Sequence, residues 1–197
     1  MARPVGTKIG RIRWLAEDEM GHFMRAVRSA GARNSLMMSL TYYYALRVTE
    51  LIGLKLTDLN LPARQITIRA LKGGTVRTYD VPQDLWREVT RWLRHRPKGS
   101  DWLFPSKVHP SEHLSATTAK MVFKRLLGKA GLSGHSIHDL RHTCAMNMAL
   151  AGDSLPAIAA WLRQRRLESS LKYLTAAADK KHEAAVAERN SKYLRGK

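Results

Sequence analysis

The chain has 197 residues, enough to bury a core without disulfides or a structural metal. Its 34 Lys and Arg against 16 Asp and Glu leave a net charge of +18, which points to a polyanionic partner, nucleic acid before an anionic membrane surface. A single cysteine, Cys144, excludes an intrachain disulfide and zinc-ligand spacing, and no apolar run reaches the roughly 18 residues that span a bilayer.

Residues 1–13 read as a loose basic arm. From Glu17 the apolar Met20, Phe23, Met24 and Val27 fall at helical spacing, and Gly31 ends that helix. A second helix is predicted over residues 32–44, and residues 47–54 continue or restart it. Residues 60–63 read as a turn. Residues 65–70 alternate apolar and polar, Gly73-Gly74 follows, and residues 75–81 are β-prone; together they predict a hairpin with Lys72 at its tip. A helix over 83–94 presents Leu85, Trp86, Val89 and Leu93. Residues 102–104 read as a short third strand. Ser115 caps a helix to about Ala130, and Gly131 stops it. Residues 138–151 are helical, with Leu140, Cys144, Met148 and Ala149 inward. Short helices follow over 155–162 and 169–174, then a more polar one over 178–195. The predicted fold is mainly α with a small antiparallel β-sheet. It divides into an N-terminal arm (1–13), a catalytic domain (14–177) and a C-terminal helix or tail (178–197).

Single motifs carry little. In His138-Asp-Leu-Arg141-His142-Thr143, residues three apart share a helix face, so His138 and Arg141 can converge on one ligand, and a guanidinium fork fits phosphate. An exposed basic helix face is the ordinary reading of such a lone box. Arg47 can simply pair with Glu50, Lys72 can be a solvated turn lysine, and Tyr173 a half-buried core residue. Tyr42, Tyr43 and Tyr44 read as core on an apolar helix, Tyr79 lies in a strand, and Tyr193 lies near the chain end.

The order of these pieces is more specific. Ala45-Leu-Arg47-Val-Thr-Glu50-Leu51, Leu56-Thr-Asp58-Leu59, Lys72-Gly-Gly, Val81-Pro82, the His138 box, and the stretch from Ile158 to Tyr173 resemble, in sequence, the tyrosine recombinases. That family includes phage integrases and chromosome-dimer resolvases. The resemblance runs from about Arg11 to the chain end. It implies the tyrosine recombinase catalytic-domain fold, in a short form similar to the fimbrial phase-switch invertases. Only 46 residues precede Arg47, fewer than a separate clamp domain takes beside the arm and first helix. One box departs. Nine residues before the tyrosine the family usually has His or Trp, commonly after Gly; here the pair is Arg163-Gln164.

The resemblance implies a site-specific recombinase that cleaves and rejoins DNA through a 3′-phosphotyrosyl link. Its site would be Arg47, Lys72, His138, Arg141, Gln164 and Tyr173. Arg47 and Arg141 would neutralise the attacked phosphate, with His138 and Gln164 as further donors. Tyr173 would be the nucleophile, helped by the Arg charges and by His138 as base, and Lys72 the acid for the leaving 5′-oxygen. No Asp/Glu cluster of metal-binding type is present, so neither metal nor another cofactor is expected, nor ATP. Arg69, Arg77, Lys120, Lys124 and Arg125 are the candidate DNA contacts, the lysines on a helix face that the family often lays in the major groove. The expected partner is double-stranded DNA, bound as a homotetramer on two duplexes, with a monomer or weak oligomer otherwise. The residues 178–197 could be exchanged between protomers. No membrane role is expected, and the location would be cytoplasmic, at the nucleoid. Two other readings stay open: a DNA-binding regulator that has lost strand transfer, and a topoisomerase of the related IB class.

Overall fold

The computed structural model describes residues 8–9, 12–70 and 75–194. Lys72, and most of the expected N-terminal arm, lie outside the described residues. The arm's last residues are packed rather than loose. Strand β1 (Lys8–Ile9) pairs antiparallel with β2 (Ile12–Arg13), and Ile12 and Trp14 are buried. Two apolar side chains this close together bury against the fold rather than stay in water.

Helix α1 (Glu17–Arg28) starts with three acidic residues and ends with basic ones, as the helix dipole favours. The Ala16 N–H donates to Glu19 Oε2 at 2.8 Å, and Met20, Phe23 and Val27 are buried. Helix α2 (Ala32–Tyr43) is central, with every residue from Ser35 to Thr41 buried. It ends because Ala45 takes a left-handed conformation, φ 49°. The Ala45 N–H returns to Tyr42 O and the Leu46 N–H to Thr41 O, a Schellman closure with alanine where glycine is usual. The chain therefore restarts, rather than continues, as α3 (Val48–Ile52).

After a 3₁₀ turn (Leu56–Asp58), strands β3 (Leu59–Asn60), β4 (Gln65–Arg69) and β5 (Val76–Asp80) form one antiparallel sheet in that order. The hairpin β4–β5 is the predicted one, with Ile66 opposite Tyr79 on the buried face. Asn60, read as a turn residue, is instead the end of β3. Residues 102–104 do not join the sheet. Trp102 makes one isolated bridge to Lys55, while Leu103 and Phe104 plug the core and the Trp92 indole donates to Leu103 O at 2.8 Å. Burial, not strand pairing, is what those apolar residues satisfy.

Helix α4 (Gln83–His95) buries Leu85, Val89 and Trp92, leaving the expected Trp86 and Leu93 half-buried. Helix α5 (Ala116–Lys129) is capped by the Ser115 hydroxyl, which accepts from the Thr118 N–H at 3.1 Å. Helices α6 (Ile137–Ala151), α7 (Leu155–Trp161) and α8 (Glu168–Leu194) complete the fold. Helix α8 is continuous over 27 residues, where two helices with a boundary near 178 were expected. The join holds Ala176, Ala177 and Ala178, the best helix formers, and no breaker.

The fold is thus mainly α with a small sheet, as the sequence implied. One apolar cluster joins α1–α5 and the sheet; a second joins Trp14, the inner face of α6, α7 and the start of α8. Helix α6 borders both, through Leu140 on one side and Cys144 on the other. Cys144 is the buried small residue expected, its thiol pushed up to about 11 by desolvation. Of the three consecutive tyrosines only Tyr44 is wholly core; Tyr43 is 39% exposed and Tyr42 half-buried. No helix among the described residues is long and apolar enough to cross a membrane.

Candidate active site

Arg47 stands just before α3. Its backbone N–H donates to Glu50 Oε2 at 2.9 Å and its Nη1 to Glu50 Oε1 at 2.8 Å. The Glu50 side chain is fully buried while that of Arg47 is 38% exposed, so Arg47 has a fixed anchor and an accessible edge. Burial raises the Glu50 carboxyl, but the charge of Arg163 and the donors of Arg47 outweigh it and hold it below the usual range.

Arg141, on the second turn of α6, is among the largest fully buried side chains. Its Nη1 donates to Ala45 O and its Nη2 to Leu162 O, both at 2.5 Å. Those two bonds tie α6 to the ends of α2 and α7 and leave the remaining N–H donors of the guanidinium for a ligand. Desolvation and then the nearby Arg47 charge lower it to about 10, so it stays cationic at neutral pH.

Tyr173 lies near the start of α8, 1% exposed. Its hydroxyl is 2.8 Å from His142 Nδ1. His138 and His142, four apart on α6, stack edge to face with centroids 4.7 Å apart. Desolvation and then the His138 charge push His142 down to about 4, so its ring is neutral at pH 7. With the ring proton on Nε2, Nδ1 accepts from the phenol. Desolvation raises Tyr173 to about 12, against the pull of Arg141 and Arg47. The expected help from arginine charge is present, yet burial wins. His138, expected as the base on this tyrosine, is instead one helical turn away; it is held below its ordinary value by desolvation and by Arg141. Lys172 lies over the Tyr173 ring, Nζ to centroid 5.1 Å.

The departing box closes α7. The Arg163 N–H returns to Ala160 O and the Gln164 N–H to Ala159 O, a second Schellman closure, with Arg163 left-handed at φ 53°. For a non-glycine residue that conformation costs about 1–2 kcal/mol. The Arg163 guanidinium is buried and bonded to Glu50 Oε2 at 2.9 Å. Gln164 is half-buried, and its Oε1 accepts from the Ser170 hydroxyl at 2.5 Å. Anchoring the oxygen leaves the amide N–H donors for a ligand.

The structure therefore brings Arg47, His138, Arg141 and Tyr173 into one cluster, with Gln164 two residues beyond the Leu162 carbonyl that Arg141 grips. The DNA-contact candidates divide. Lys120 and Lys124 line a cavity of about 390 Å³ with Val48, Ser136 and His138, beside the cluster. Arg125 does not line that cavity; its charge acts on Arg33 instead. Arg69 is paired with the buried Asp58 at 3.2 Å. Arg69 sits opposite Val76 and Arg77 opposite Ile68, so the two arginines project from opposite faces of the hairpin. Among the described residues no group of His, Cys, Asp or Glu is placed to hold a metal ion.

The family model described as "Phage integrase family" matches residues 13–180. The chain belongs to the phage integrase family. Among its relatives, the tyrosine recombinase XerA of Pyrococcus furiosus is 33% identical over 176 residues, 89% of this chain and 60% of that protein. The type 1 fimbriae regulatory protein FimE of Escherichia coli is 28% identical over 188 residues, 91% of this chain and 92% of that protein. The chain thus spans little more than half the length of the XerA relatives and nearly all of FimE. A crystal structure of XerA recombinase matches the fold with a TM-score of 0.76 at 23% identity, covering 90% of this chain and 66% of that one. The XerH site-specific recombinase, in a post-cleavage complex with a palindromic difH substrate, matches at 0.75 and 22%, covering 87% of this chain and 52% of that one.

Three residues of this integrase-family site went unassigned by sequence reasoning. His142 had a signal, its four-residue spacing from His138 and adjacency to Arg141. Glu50 was visible only as the partner of Arg47. Arg163 was seen only as the neighbour of an altered position, since nothing local says that its side chain turns inward.

Proposed function

We propose that this chain is a site-specific recombinase that cleaves and rejoins double-stranded DNA through a 3′-phosphotyrosyl intermediate, without metal or ATP. One observation carries the reading: a buried tyrosine hydroxyl held by a neutral histidine, within the electrostatic reach of Arg47 and Arg141. DNA binding is supported by the charge of +18 and by the complexes of related folds with DNA.

In this mechanism Arg47 and Arg141 donate hydrogen bonds to the non-bridging oxygens of the scissile phosphate and balance the charge that attack adds. Gln164 and His138 donate further hydrogen bonds. Tyr173 Oη attacks phosphorus. A phenol raised to about 12 beside an imidazole lowered to about 4 does not ionise in advance. Its proton therefore leaves for His142 as the P–O bond forms, when the oxygen's basicity collapses. The P–O5′ bond breaks, and Lys72 protonates the leaving oxygen, a role taken from the family resemblance. The products are a 3′-phosphotyrosine and a free 5′-hydroxyl. A second 5′-hydroxyl reverses the steps and restores the phosphodiester, so no external energy source is needed. Assembly as a homotetramer on two duplexes, at the nucleoid, belongs to the same proposal.

The test begins by letting the protein select its site from a pool of random duplexes. A nicked copy of that site, from which the cleaved end diffuses away, should trap a covalent protein–DNA adduct. Tyr173→Phe should abolish the adduct and leave binding nearly intact. Binding without any adduct would favour the DNA-binding regulator, and relaxation of arbitrary supercoiled plasmids the topoisomerase reading.

A further inference from the structure

The mechanism above leaves Arg163 without a task, although it is one of the most heavily bonded side chains in the molecule. Its Nη1 donates to Tyr44 O and Trp161 O, both at 2.9 Å, and approaches the Tyr79 hydroxyl at 3.2 Å. Its Nη2 donates to Ala45 O at 3.1 Å and Glu50 Oε2 at 2.9 Å. Nε is buried without a partner. A charge is placed in the interior, on a left-handed residue, with one donor unmet; each of these disfavours an arginine here. The buried charge, at least, is answered by the Glu50 carboxylate.

Three guanidinium groups surround that carboxylate. Arg47 is at 2.8 Å, Arg163 at 2.9 Å and Arg141 at 3.9 Å. Arg163 and Arg141 also share the Ala45 carbonyl. Of the three, Arg163 spends both terminal nitrogens on protein acceptors and buries its Nε, so it offers no free donor to DNA. Without it, one negative charge would lie against the two arginines meant for phosphate.

We propose that Arg163 is a positioning residue of the phosphate site: its buried charge neutralises Glu50 and pins the Ala45 carbonyl, so that Arg47 and Arg141 keep their positive charge and geometry for a phosphodiester anion. The inference rests on the reading of that cluster as the phosphate site. It also explains how the site retains a cationic character although Gln164 brings none. The charge that a neighbouring position lacks at the surface is supplied one residue earlier, from inside.

Two readouts test it. The first needs no cleavage: the rise in melting temperature produced by inorganic phosphate. The second is the single-turnover rate of adduct formation on the nicked site. Arg163→Gly suits the left-handed backbone, so it removes the charge while relieving strain. It should lose most of the phosphate-induced rise and slow cleavage at least tenfold. Adding Glu50→Gln should restore both to within about threefold of Glu50→Gln alone, because the unneutralised carboxylate is gone. If Arg163→Gly does not fold, Arg163→Lys and Arg163→Gln decide. The first keeps the charge and should cleave within about threefold of wild type; the neutral second should lose tenfold. Equal rates for Lys and Gln, or the same loss from Arg163→Gly with Glu50 and with Gln at position 50, would overturn the proposal, since a purely structural tie ignores the charge balance. A wild-type protein that forms no adduct yet shows the full phosphate cycle would sink the strand-transfer reading and leave this inference standing.

Discussion

The Tyr173 hydroxyl lies 2.8 Å from His142 Nδ1, on a residue 31 positions earlier in the chain. The pair joins α8 to α6, and burial there keeps the tyrosine a protonated phenol. His142 is neutral because desolvation lowers it from 6.5 to about 4. The unfolded chain binds a proton on this ring through that window and the folded chain does not. Stability therefore falls as pH drops from about 6.5 to about 4, by on the order of 3 kcal/mol at most. Replacing His142 by Gln should flatten that fall in denaturant titrations at pH 7, 5.5 and 4.5. Glu50 and Asp139 are both lowered carboxylates that lose stability at lower pH in either protein. The difference between the two curves isolates His142; parallel curves would mean that the ring does not stay neutral.

Arg141→Lys should fail in two measurable ways. A lysine ammonium lacks the planar fork that reaches Ala45 O and Leu162 O together, so one buried carbonyl is left unpaired, at about 1–3 kcal/mol in unfolding experiments. Loss of a donor at the developing charge should also slow single-turnover cleavage by about 10²–10³-fold. A variant that is destabilised but cleaves at the wild-type rate would remove Arg141 from the phosphate.

Gln164 offers a neutral amide where a charged donor is roughly twice as strong. The enzyme should therefore be active but slow. Gln164→Ala should lower the cleavage rate further, by less than the roughly 2.7–4 kcal/mol typical of losing a whole donor, and Gln164→His should keep or raise it. Ser170→Ala should act in the same direction as Gln164→Ala but more weakly, because the Ser170 hydroxyl orients the amide. One common rate for all four proteins would show that position 164 does not meet the phosphate.

DNA affinity should fall steeply with salt, because each phosphate neutralised releases counterions, with a slope near −0.9 per contact. Lys124→Gln should shrink the slope by about one contact, since Lys124 lines the cavity beside His138. Arg69→Gln should change it much less, because Asp58 already balances Arg69. A larger effect from Arg69→Gln than from Lys124→Gln would mean that the hairpin rather than α5 faces the duplex.

Much of this molecule was legible in its amino acids. The Ser115 cap, the β4–β5 hairpin and the helical face that carries His138 and Arg141 are set by local rules: capping, two-residue alternation and 3.6-residue periodicity; the tyrosine was singled out only by its place in the family resemblance. The overreadings were local too. An apolar run at 102–104 looked like a strand but is buried as a plug, and a change in polarity near 178 looked like a helix end although nothing there breaks the helix. What only the tertiary structure decided is the second layer of the site. Arg163 meets Glu50 across 113 positions and Ala45 across 118. A left-handed arginine has no sequence signature, because propensity assigns that position to glycine. The contact of Tyr173 with His142 likewise depends on how α8 packs on α6, which apolar Ala145, Ala149, Ala176 and Ala177 set by burial rather than by any pattern around the tyrosine. Residue types and their order, through the family resemblance, named the candidate groups; the close packing of α2, α6, α7 and α8 decided their charge states and hydrogen-bond partners, because desolvation and long-range pairing exist only once those elements meet.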